Sequence, residues 1–500
     1  MAALTDAITR DHCAPMSNSF FRPVVQAALF LLLSFLAGPA PAAAEGVQPV
    51  RAAGCIVRIQ ESLLLVKDVW SYRWSLPGGG AEAGEAPAQV AEREVWEEIG
   101  LSVRAGALLG QLGGFAMFAC APQSGYLEVL QRGVLLLPDA ARMEVAEARL
   151  VPLAELAQLP WRFPQQAAAV TEQARATTPL PSSWLQPAQA SIGPLFTAEL
   201  AGIRRLQAVP GVAWDSAMHL ASRLGDARQL FWVVLFIWSL VGWRAGAELL
   251  LLAATIGLLG CLLKQGLTLP RPIYLDPSLQ RQAASGFGFP SGHTVIATTW
   301  LTFLARNSGR PGAWGVAVPL CFLCGLGRAY LGAHFFHDLI GGWLLAGGMT
   351  WLHGRLTAGR AQPYLPLRAW ALVGGLLAAL TLAVQPQPSP FIFTLSGLGL
   401  LLGLALLYRG QAPVPVGGPW QLLPGAAPLQ QLLLGAFLAF LCNRGTAFLR
   451  PVEADFPACL AFFALRYGSL GLVLPVSGWL HRRLCGERLA PACRPSVSAT

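Results

Sequence analysis

The sequence predicts an α/β/α sandwich followed by an all-α, multispanning membrane domain. Two observations support this division. Residues 51–170 carry charged side chains at the density of a soluble protein, whereas from about residue 229 onward apolar runs long enough to cross a bilayer recur. Over its 500 residues the chain is 54% hydrophobic and only 12% charged, against about 25% charged in typical soluble proteins. A soluble module therefore precedes a membrane module.

The first 45 residues have the pattern of a targeting segment. Arg22 precedes an apolar run over 24–37, and small residues, rich in alanine, follow up to Glu45. This order is typical of a bacterial secretory signal peptide. An uncleaved N-terminal anchor is the alternative, and either one places the following domain outside the cytoplasm.

The net charge of +9 does not indicate nucleic-acid binding, because the basic residues are spread among short loops between apolar runs. Retention of positive charge in cytoplasmic loops explains this distribution. Five of the ten cysteines lie in apolar segments, where they are expected to act as small buried hydrophobes. Cys55 and Cys120 can pair if their domain is exported.

The soluble module contains one long motif. Gly79 is followed by Glu85 and by the run Arg-Glu-Val-Trp-Glu-Glu-Ile-Gly-Leu over 93–101. These residues match every fixed position of G-x5-E-x7-R-E-U-x-E-E-x-G-U, the Nudix box, so residues 50–170 resemble a Nudix hydrolase domain. The flanks, 74–79 and 161–164, are also similar to that family. Short β-prone runs at 55–59, 63–67 and 133–137 are expected to supply its sheet.

The carboxylates of this motif have the pattern of a metal site. Glu94, Glu97 and Glu98 are spaced i, i+3 and i+4, so they share one face of a helix. Crowded carboxylates repel one another unless a hard cation such as Mg²⁺ or Mn²⁺ binds among them. Gly100 suits the left-handed end of that helix. The resemblance implies that Arg93 orients the carboxylates through an ion pair, supported by Gly79, Glu85 and Gly100, and that the substrate is a nucleoside diphosphate linked to another group.

Three further motifs occur in order in the membrane module. Lys264 lies seven residues before Arg271-Pro272, Pro-Ser-Gly-His spans 290–293, and Arg328 is followed by His334 and Asp338. Together they resemble the type 2 phosphatidic acid phosphatase family, whose helix bundle is shared with vanadium haloperoxidases. One position departs from the family pattern: Gly327 stands where a serine is usual, which removes a hydroxyl but no catalytic group.

Each motif position has a chemical rationale. Lys264, Arg271 and Arg328 supply three cations for a phosphoryl group. Ser291 and Gly292 begin a helix whose backbone N–H groups can face an anion. Asp338 lies one helical turn after His334, where it can fix the imidazole tautomer of a nucleophile.

Two further histidines in or beside these motifs, His293 and His337, are expected to have different roles. His293 is left to protonate the leaving oxygen as general acid. We expect this site to need no cofactor, because its cations neutralise the transition state. His337 is expected to point about 100° away from Asp338 on the helix and to have only a structural or interfacial role.

The apolar runs also predict a topology. Nine candidate spans lie at 229–244, 247–263, 294–306, 313–327, 338–353, 367–384, 389–407, 427–443 and 456–480. If the chain enters the first span from the periplasm, the basic loops fall on the cytoplasmic side, as the positive-inside tendency requires. The same threading places both active sites on the periplasmic face of a bacterial inner membrane.

The predicted divisions are 1–45 signal or anchor, 50–170 Nudix, 171–199 linker, 200–360 phosphatase, 361–485 additional helices and 486–500 tail.

The function expected from these patterns is a membrane lipid phosphatase or diphosphatase that acts through a phosphohistidine. Undecaprenyl diphosphate is the first substrate expected, with phosphatidate-type lipids as close alternatives, and the fused Nudix domain hydrolyses a diphosphate with Mg²⁺ or Mn²⁺. In a second hypothesis the Nudix domain is the main catalyst, and the membrane module removes phosphate from its product or only anchors it. A transporter is disfavoured because the chain shows no internal repeat. The oligomeric state stays open.

Overall fold

The computed structural model describes residues 50–129, 133–135, 137, 144–187, 193–282, 284, 286–358, 365–384, 388–408, 427–448 and 456–484. The predicted signal or anchor segment and the predicted C-terminal tail lie outside the described residues. An α/β domain comes first, and a helical part follows it.

The α/β domain is built on two mixed sheets. In the first sheet the strand order is β5-β1-β7-β6, with β1 parallel to β7 and the other pairs antiparallel. In the second, β3 pairs antiparallel with β2, β4 and β9. The elements are β1 (Ala52–Ile56), β2 (Arg58–Ile59), β3 (Ser62–Asp68), β4 (Trp74–Ser75), β5 (Gly78–Gly80), α1 (Pro87–Ile99), β6 (Ser102–Leu112), β7 (Phe115–Ser124), β8 (Leu127–Val129), β9 (Val145–Pro152), α2 (Ala167–Ala176) and β10 (Leu185–Pro187).

Side-chain alternation along the strands gives the sandwich its two cores. Successive residues of a strand point to opposite faces of the sheet. Cys55 and Leu64 accordingly pack with α1, whereas their neighbours Ile56 and Leu63 pack in the core that contains Val170 of α2. One helix therefore covers each face, and the predicted α/β/α sandwich is confirmed.

The strand predictions were partly wrong. The described residues of the run at 133–137 form isolated bridges instead of a strand, from Val134 to Arg149 and from Leu135 to Val129. Its Gly133 has φ +71°, a left-handed conformation that interrupts an extended strand. The long hairpin of β6 and β7 was not predicted, because β6 carries small residues without a regular apolar alternation.

The predicted linker, 171–199, contains regular structure. Helix α2 continues to Ala176, and β10 pairs in parallel with β8 of the α/β domain. Helix α3 then begins at Pro194.

The helical part begins with two amphipathic helices, α3 (Pro194–Gln207) and α4 (Val212–Arg223). They bury Ile203 and Met218 while Val209 and Leu220 remain exposed. The following helices are α5 (Ala227–Leu240), α6 (Trp243–Leu267), α7 (Pro272–Leu275), α8 (Gly292–Asn307), α9 (Gly312–Tyr330), α10 (Phe336–Thr357), α11 (Leu367–Val384), α12 (Pro388–Leu407), α13 (Ala427–Phe448) and α14 (Phe456–Leu484).

A helix occupies each of the nine predicted apolar runs, although the first helix ends at Leu240 rather than at 244. By length and composition, four segments of the described chain can cross a membrane: Trp243–Leu275, Gly312–Tyr330, Ser389–Leu407 and Leu460–Leu484. Two shorter apolar helices span Ala227–Leu240 and Leu367–Thr381. The multispanning, all-α architecture is confirmed, and the full number of spans stays a prediction.

Chain direction gathers the phosphatase motifs at one end of the bundle. Lys264 lies in the last turn of α6, Ser291 precedes α8, Arg328 lies in the last turn of α9, and His334 precedes α10. Because successive helices run in opposite directions, these ends meet on one side.

The helices after residue 360 contact the α/β domain. The ring of Trp70, which follows β3, meets Phe391 of α12 at a centroid distance of 5.5 Å and Phe463 of α14 at 5.7 Å. Arg466, unexpected inside an apolar run, donates to Asn443 Oδ1 at 2.8 Å, and α14 continues through it unbroken. Two of the additional helices therefore contact the α/β domain through Trp70.

Candidate active sites

Two glycines shape the acidic motif of the α/β domain. Gly100 ends α1 at φ +77°, and its N–H donates to Trp96 O, as the sequence predicts for a left-handed helix end. Gly79 lies directly under the Glu94 side chain, so a Cβ there would lie 2.5 Å from the carboxylate carbon. The lack of a side chain at Gly79 thus lets the Glu94 carboxylate lie against the loop.

Arg93 forms an ion-pair hub. Its Nε donates to Glu85 Oε1, and its Nη1 donates to both Glu94 Oε1 and Glu97 Oε2, each at 2.9 Å. Its Nη2 binds the carbonyl of Gly80 at 2.9 Å. The Glu85 ion pair raises the pKa of Arg93 above its usual range, while the hydrogen bond from Arg93 lowers the pKa of Glu85. Arg93 is therefore placed to orient the acidic face.

Burial and mutual repulsion act on the carboxylates of that face. Glu98 Oε2 accepts a hydrogen bond from Gly78 N at 2.9 Å, yet burial and the charge of Glu94 hold the pKa of Glu98 well above its usual value. Burial likewise raises the pKa of Glu94, and the charges of Glu97 and Glu144 add to that effect. Glu144 comes just before β9 and was missed at the sequence level, because it lies far from the motif in the chain. A cation bound here would relieve the repulsion.

The side chains of this face are of the chemical type that binds a divalent metal. They offer several carboxylate oxygens, which Mg²⁺ and Mn²⁺ prefer, on a helix face where the protein supplies too little compensating charge. Within the described residues, no set of three or more His, Cys, Asp or Glu side chains is gathered closely enough to hold an ion. Arg93 bridges Glu94 and Glu97 instead, so metal binding would have to draw Glu97 toward Glu94 and Glu98.

The contact between Gly79 and Glu94 can be tested with a matched pair of variants. Gly79→Ala should push the Glu94 carboxylate aside and lower diphosphate hydrolysis about 10- to 100-fold, the size of effect usual for residues that support metal ligands. Gly80→Ala is the control, because a Cβ at Gly80 meets nothing within 4 Å. Equal rates for the two variants, measured at saturating Mn²⁺, would show that the contact does not position Glu94.

The phosphatase motifs bring three cations together in the helical part. Lys264 Nζ donates to the carbonyls of Phe287 and Gly288 at 3.0 and 2.9 Å. Arg271 Nε donates to Gly286 O at 2.8 Å, and its Nη1 donates to Ala333 O at 2.7 Å. These carbonyls hold the cations in position without neutralising them, which leaves their charge for an anion.

Arg328, the third cation, is only 3% exposed and donates through Nη1 to Ser222 Oγ at 3.1 Å and to Gln282 Oε1 at 3.2 Å. Ser222 belongs to α4, which packs so closely on α9 that a Cβ at Gly327 would lie 2.6 Å from Met218 O. The glycine that departs from the family pattern therefore makes room for α4. That helix in turn supplies a hydroxyl to the arginine.

His334 and Asp338 form the predicted pair. His334 Nδ1 lies 3.2 Å from Asp338 Oδ2, which also accepts the N–H of Phe335 at 2.9 Å. The other ring nitrogen, Nε2, lies 3.1 Å from Arg271 Nη1. With the Nδ1 proton held by the carboxylate, the lone pair of Nε2 is directed toward the cations.

Ser291 caps α8 and is completely buried. Its Oγ accepts from Thr294 Oγ1 at 2.9 Å, and its N–H donates to Asp338 O at 3.0 Å. A Cβ at Gly292 would meet nothing within 4 Å, so open space adjoins the first turn of α8. The helix start therefore lies beside His334 and Asp338 with room next to it for an anion.

His293 has a carboxylate partner that sequence reasoning missed. Its Nε2 lies 3.0 Å from Asp226 Oδ1, at the start of α5 and 67 residues earlier in the chain. This contact leaves Nδ1 of His293 as the nitrogen available to a leaving group. No spacing rule links a side chain at the start of one helix to a motif three helices later.

Asp226 should matter most when the leaving oxygen needs a proton. We expect Asp226→Asn to slow release of phosphate from a lipid monophosphate by about 10- to 100-fold, since general acid catalysis contributes about 10²–10⁴. The same variant should release the first equivalent of nitrophenolate from p-nitrophenyl phosphate at nearly the wild-type rate, because nitrophenolate leaves without protonation. Equal losses in the single-turnover cleavage of both substrates, measured by rapid quench, would contradict this role.

The prediction for His337 was wrong in one respect. Its Nε2 lies 3.3 Å from Asp338 Oδ1, although the two residues are adjacent on α10. The imidazole is long enough to fold back across the helix start. Glu199 of α3, also missed at the sequence level, holds the other ring nitrogen at 2.8 Å.

Comparison with known families and proteins gives the same two parts. The NUDIX domain model matches residues 48–174, and the PAP2 superfamily model matches residues 245–360. A MutT-like protein of Streptomyces ambofaciens is 29% identical over 131 residues, which is 24% of this chain and 85% of that protein. Human diphosphoinositol polyphosphate phosphohydrolase 3-alpha is 45% identical over 53 residues, 11% of this chain, and the match spans only 32% of the human protein.

Two further solved structures are each similar to about a third of this chain. LpxE of Aquifex aeolicus is 23% identical, with 31% of this chain and 93% of that chain covered and a TM-score of 0.28. A PAP2-type phosphatidylglycerolphosphate phosphatase of Bacillus subtilis is 23% identical, with 34% and 91% covered and a TM-score of 0.29. At these TM-scores neither likeness identifies a substrate. The family models and the geometry of the motifs together show that this chain joins a Nudix hydrolase domain to a membrane phosphatase domain of the PAP2 superfamily.

Proposed function

We propose that the PAP2 domain is a lipid phosphatase or diphosphatase in which His334 becomes phosphorylated. The observation that carries this proposal is the orientation of the His334 ring, with Nδ1 on the Asp338 carboxylate and Nε2 facing Arg271. Lys264 and Arg328 complete the cationic pocket. Backbone N–H groups at the start of α8 add hydrogen-bond donors.

In the first step, Nε2 of His334 attacks phosphorus, forming a P–N bond while the P–O bond to the lipid breaks. His293 gives a proton to the departing oxygen, and the cations stabilise the charge on the phosphoryl oxygens. In the second step, His293 takes a proton from water, whose oxygen attacks phosphorus. The P–N bond breaks, which releases inorganic phosphate and regenerates free His334.

The substrate class follows from the setting of the site. The cationic pocket lies at the ends of apolar helices, where a lipid anchored in the bilayer presents its phosphate group. Undecaprenyl diphosphate is our first candidate. Phosphatidic acid and phosphatidylglycerol phosphate are close alternatives, because cationic side chains of this kind recognise a phosphate group and not the lipid tail.

The proposal is tested with the purified full-length chain in detergent and a chelator. Each of the three lipids is supplied separately, and released phosphate is measured. The proposal predicts release from at least one of them without added metal. Release that occurs only when Mg²⁺ is restored would assign the activity to the Nudix domain instead.

For the Nudix domain we propose hydrolysis of a diphosphate, with Glu94, Glu97 and Glu98 holding Mg²⁺ or Mn²⁺. The bound metal would supply charge neutralisation at the diphosphate and an activated water. Arg93 would position the carboxylates, and Gly79, Glu85 and Gly100 would maintain the loop and helix end. Nucleoside diphosphates linked to a second group are the substrates that we propose.

A second candidate function makes the Nudix domain the main catalyst and the PAP2 domain the remover of its product's phosphate. The contact of Trp70 with Phe391 and Phe463 holds the Nudix domain against the helices that follow the PAP2 domain, which supports an arrangement of both domains in one assembly. In this case an intact nucleotide conjugate, supplied with Mg²⁺, would release inorganic phosphate, and His334→Ala would stop that release but leave the first cleavage intact.

We also propose that the protein lies in a bacterial inner membrane with both sites on the periplasmic face. The Cys55–Cys120 disulfide, which joins neighbouring strands β1 and β7, supports export of the Nudix domain. Such bonds persist in oxidising compartments. Because both cysteines are buried, cells are first denatured in acid and then alkylated. Both cysteines should stay unlabelled until a reductant is added, whereas a cytoplasmic domain would show both as free thiols.

A further inference from the structure

His337 is held in a fixed orientation next to the phosphatase site. Its ring lies nearly parallel to the ring of Phe335, with a centroid distance of 5.5 Å and an interplanar angle of 14°, and to that of Phe289 at 6.3 Å and 22°. Phe196 of α3 meets it edge-on at 5.6 Å. These three rings prevent the imidazole from turning away.

Both ring nitrogens of His337 face carboxylates. Nδ1 lies 2.8 Å from Glu199 Oε2, while the backbone N–H of the same histidine donates to Glu199 Oε1 at 3.1 Å. Nε2 lies 3.3 Å from Asp338 Oδ1. Glu199 therefore fixes both the position of the histidine and the nitrogen that faces Asp338.

Asp338 needs this neighbour because it is fully buried. Its Oδ2 is occupied by His334 and by the N–H of Phe335. Among the described residues, neither Asp338 Oδ1 nor His337 Nε2 has a well-aligned hydrogen bond. The two atoms lie 3.3 Å apart. A buried carboxylate oxygen without a donor is costly, so even an imperfectly aligned imidazole contributes here.

We propose that Glu199 and His337 are positioning residues for the phosphatase nucleophile, through the chain Glu199, His337, Asp338 and His334. The charge of His337 favours the ionised form of Asp338, and Asp338 holds the Nδ1 proton of His334 so that Nε2 can attack. The inference rests on the proposed phosphatase function. It also gives α3 a role in the reaction beyond packing at the start of the helical part.

The pH dependence of kcat separates this role from simple packing. The charged and titratable groups that act on Asp338 are His334 and His337 from its own segment, with Lys264 and Arg271 from α6 and the segment after it. Glu199 of α3 acts on it through His337. Removing the positive charge of His337 disfavours the ionised form of Asp338, so Asp338 takes up a proton at a higher pH. The acidic limb of the kcat–pH profile therefore shifts to higher pH.

The test uses His337→Phe, which keeps an aromatic ring between Phe335 and Phe289, and Glu199→Gln, which keeps an acceptor for the His337 N–H. Phosphate release from a lipid monophosphate is measured across pH in the presence of a chelator. For each variant we expect kcat to fall about 10-fold or more, as for other residues that orient a reacting group. KM should stay within about twofold, since neither residue is placed to contact phosphate. The acidic limb of the kcat–pH profile should shift to higher pH by about half a unit or more.

A double variant strengthens the test. If Glu199 acts only through His337, Glu199→Gln should change nothing further in the His337→Phe background. Arg205→Gln, an exposed position on the same helix, is the control and should match the wild type. Independent, additive losses, or profiles whose acidic limb stays at the wild-type pH, would overturn the proposal.

The test also distinguishes this inference from the proposed function itself. If the wild type releases no phosphate, or if His334→Ala releases it at the wild-type rate, the phosphatase proposal fails. If His334→Ala is inactive while Glu199→Gln and His337→Phe keep the wild-type pH profile, only the positioning role fails. When His337→Phe does not accumulate, Glu199→Gln alone gives the decisive profile.

Discussion

Replacing His334 with alanine should lower phosphate release from a lipid monophosphate by at least about a thousandfold, the scale of loss when a covalent nucleophile is removed. The reason is that the His334 Nε2 atom, 3.1 Å from Arg271 Nη1, is the nucleophile that we propose. Initial rates in detergent with a chelator measure the effect. His219→Ala is the control, because that histidine is half-exposed on α4 and pairs with Asp215 one turn away.

The same variant should retain the activity of the other domain. His334→Ala, supplied with Mn²⁺ and a nucleoside diphosphate conjugate, should cleave it at the wild-type rate, since the two motifs lie in separate folds. Loss of both activities would indicate misfolding, whereas wild-type phosphate release from the lipid would contradict the role of His334.

Glu97→Gln should have the reverse effect. Removing one carboxylate from a proposed metal site should weaken Mn²⁺ binding and lower diphosphate hydrolysis by about 100-fold or more, because ligand charge largely determines affinity for hard cations. Glu97 is the most exposed of the three carboxylates, so the substitution should disturb the fold little. Calorimetric titration with Mn²⁺ gives a readout that does not depend on knowing the substrate.

The control for that experiment is Glu92→Gln, on the same helix but outside the motif's acidic face, where it accepts from Ala105 N. It should bind Mn²⁺ as the wild type does. Chelation should reproduce the Glu97→Gln phenotype and leave lipid phosphate release unchanged. Equal Mn²⁺ affinity in Glu97→Gln and the wild type would exclude Glu97 as a ligand.

The sequence predicted the parts of the fold and sites that depend on local spacing. The i, i+4 distance from His334 to Asp338, the helix start at Ser291 and the left-handed Gly100 all follow from short-range geometry. The division into an α/β domain and an apolar helical part follows from composition. Each of these is set by residues within a few positions of one another.

The residues that were missed come from distant segments. Asp226 lies 67 residues from His293, Ser222 lies 106 residues from Arg328, and Glu199 lies 138 residues from His337. Only tertiary packing of α3, α4 and the start of α5 brings them to the motifs. The same packing explains Gly327, which a motif comparison shows only as a departure.

The most direct test of the account is to trap the phosphorylated enzyme. Full-length protein is mixed with lipid monophosphate carrying a radioactive phosphoryl group, in a chelator, and quenched within milliseconds. We predict protein-bound label that is stable in base, lost in acid and located on His334, present in Glu97→Gln and absent from His334→Ala. Label of equal amount in His334→Ala, or steady phosphate release without any trapped label in the wild type, would contradict a phosphohistidine mechanism.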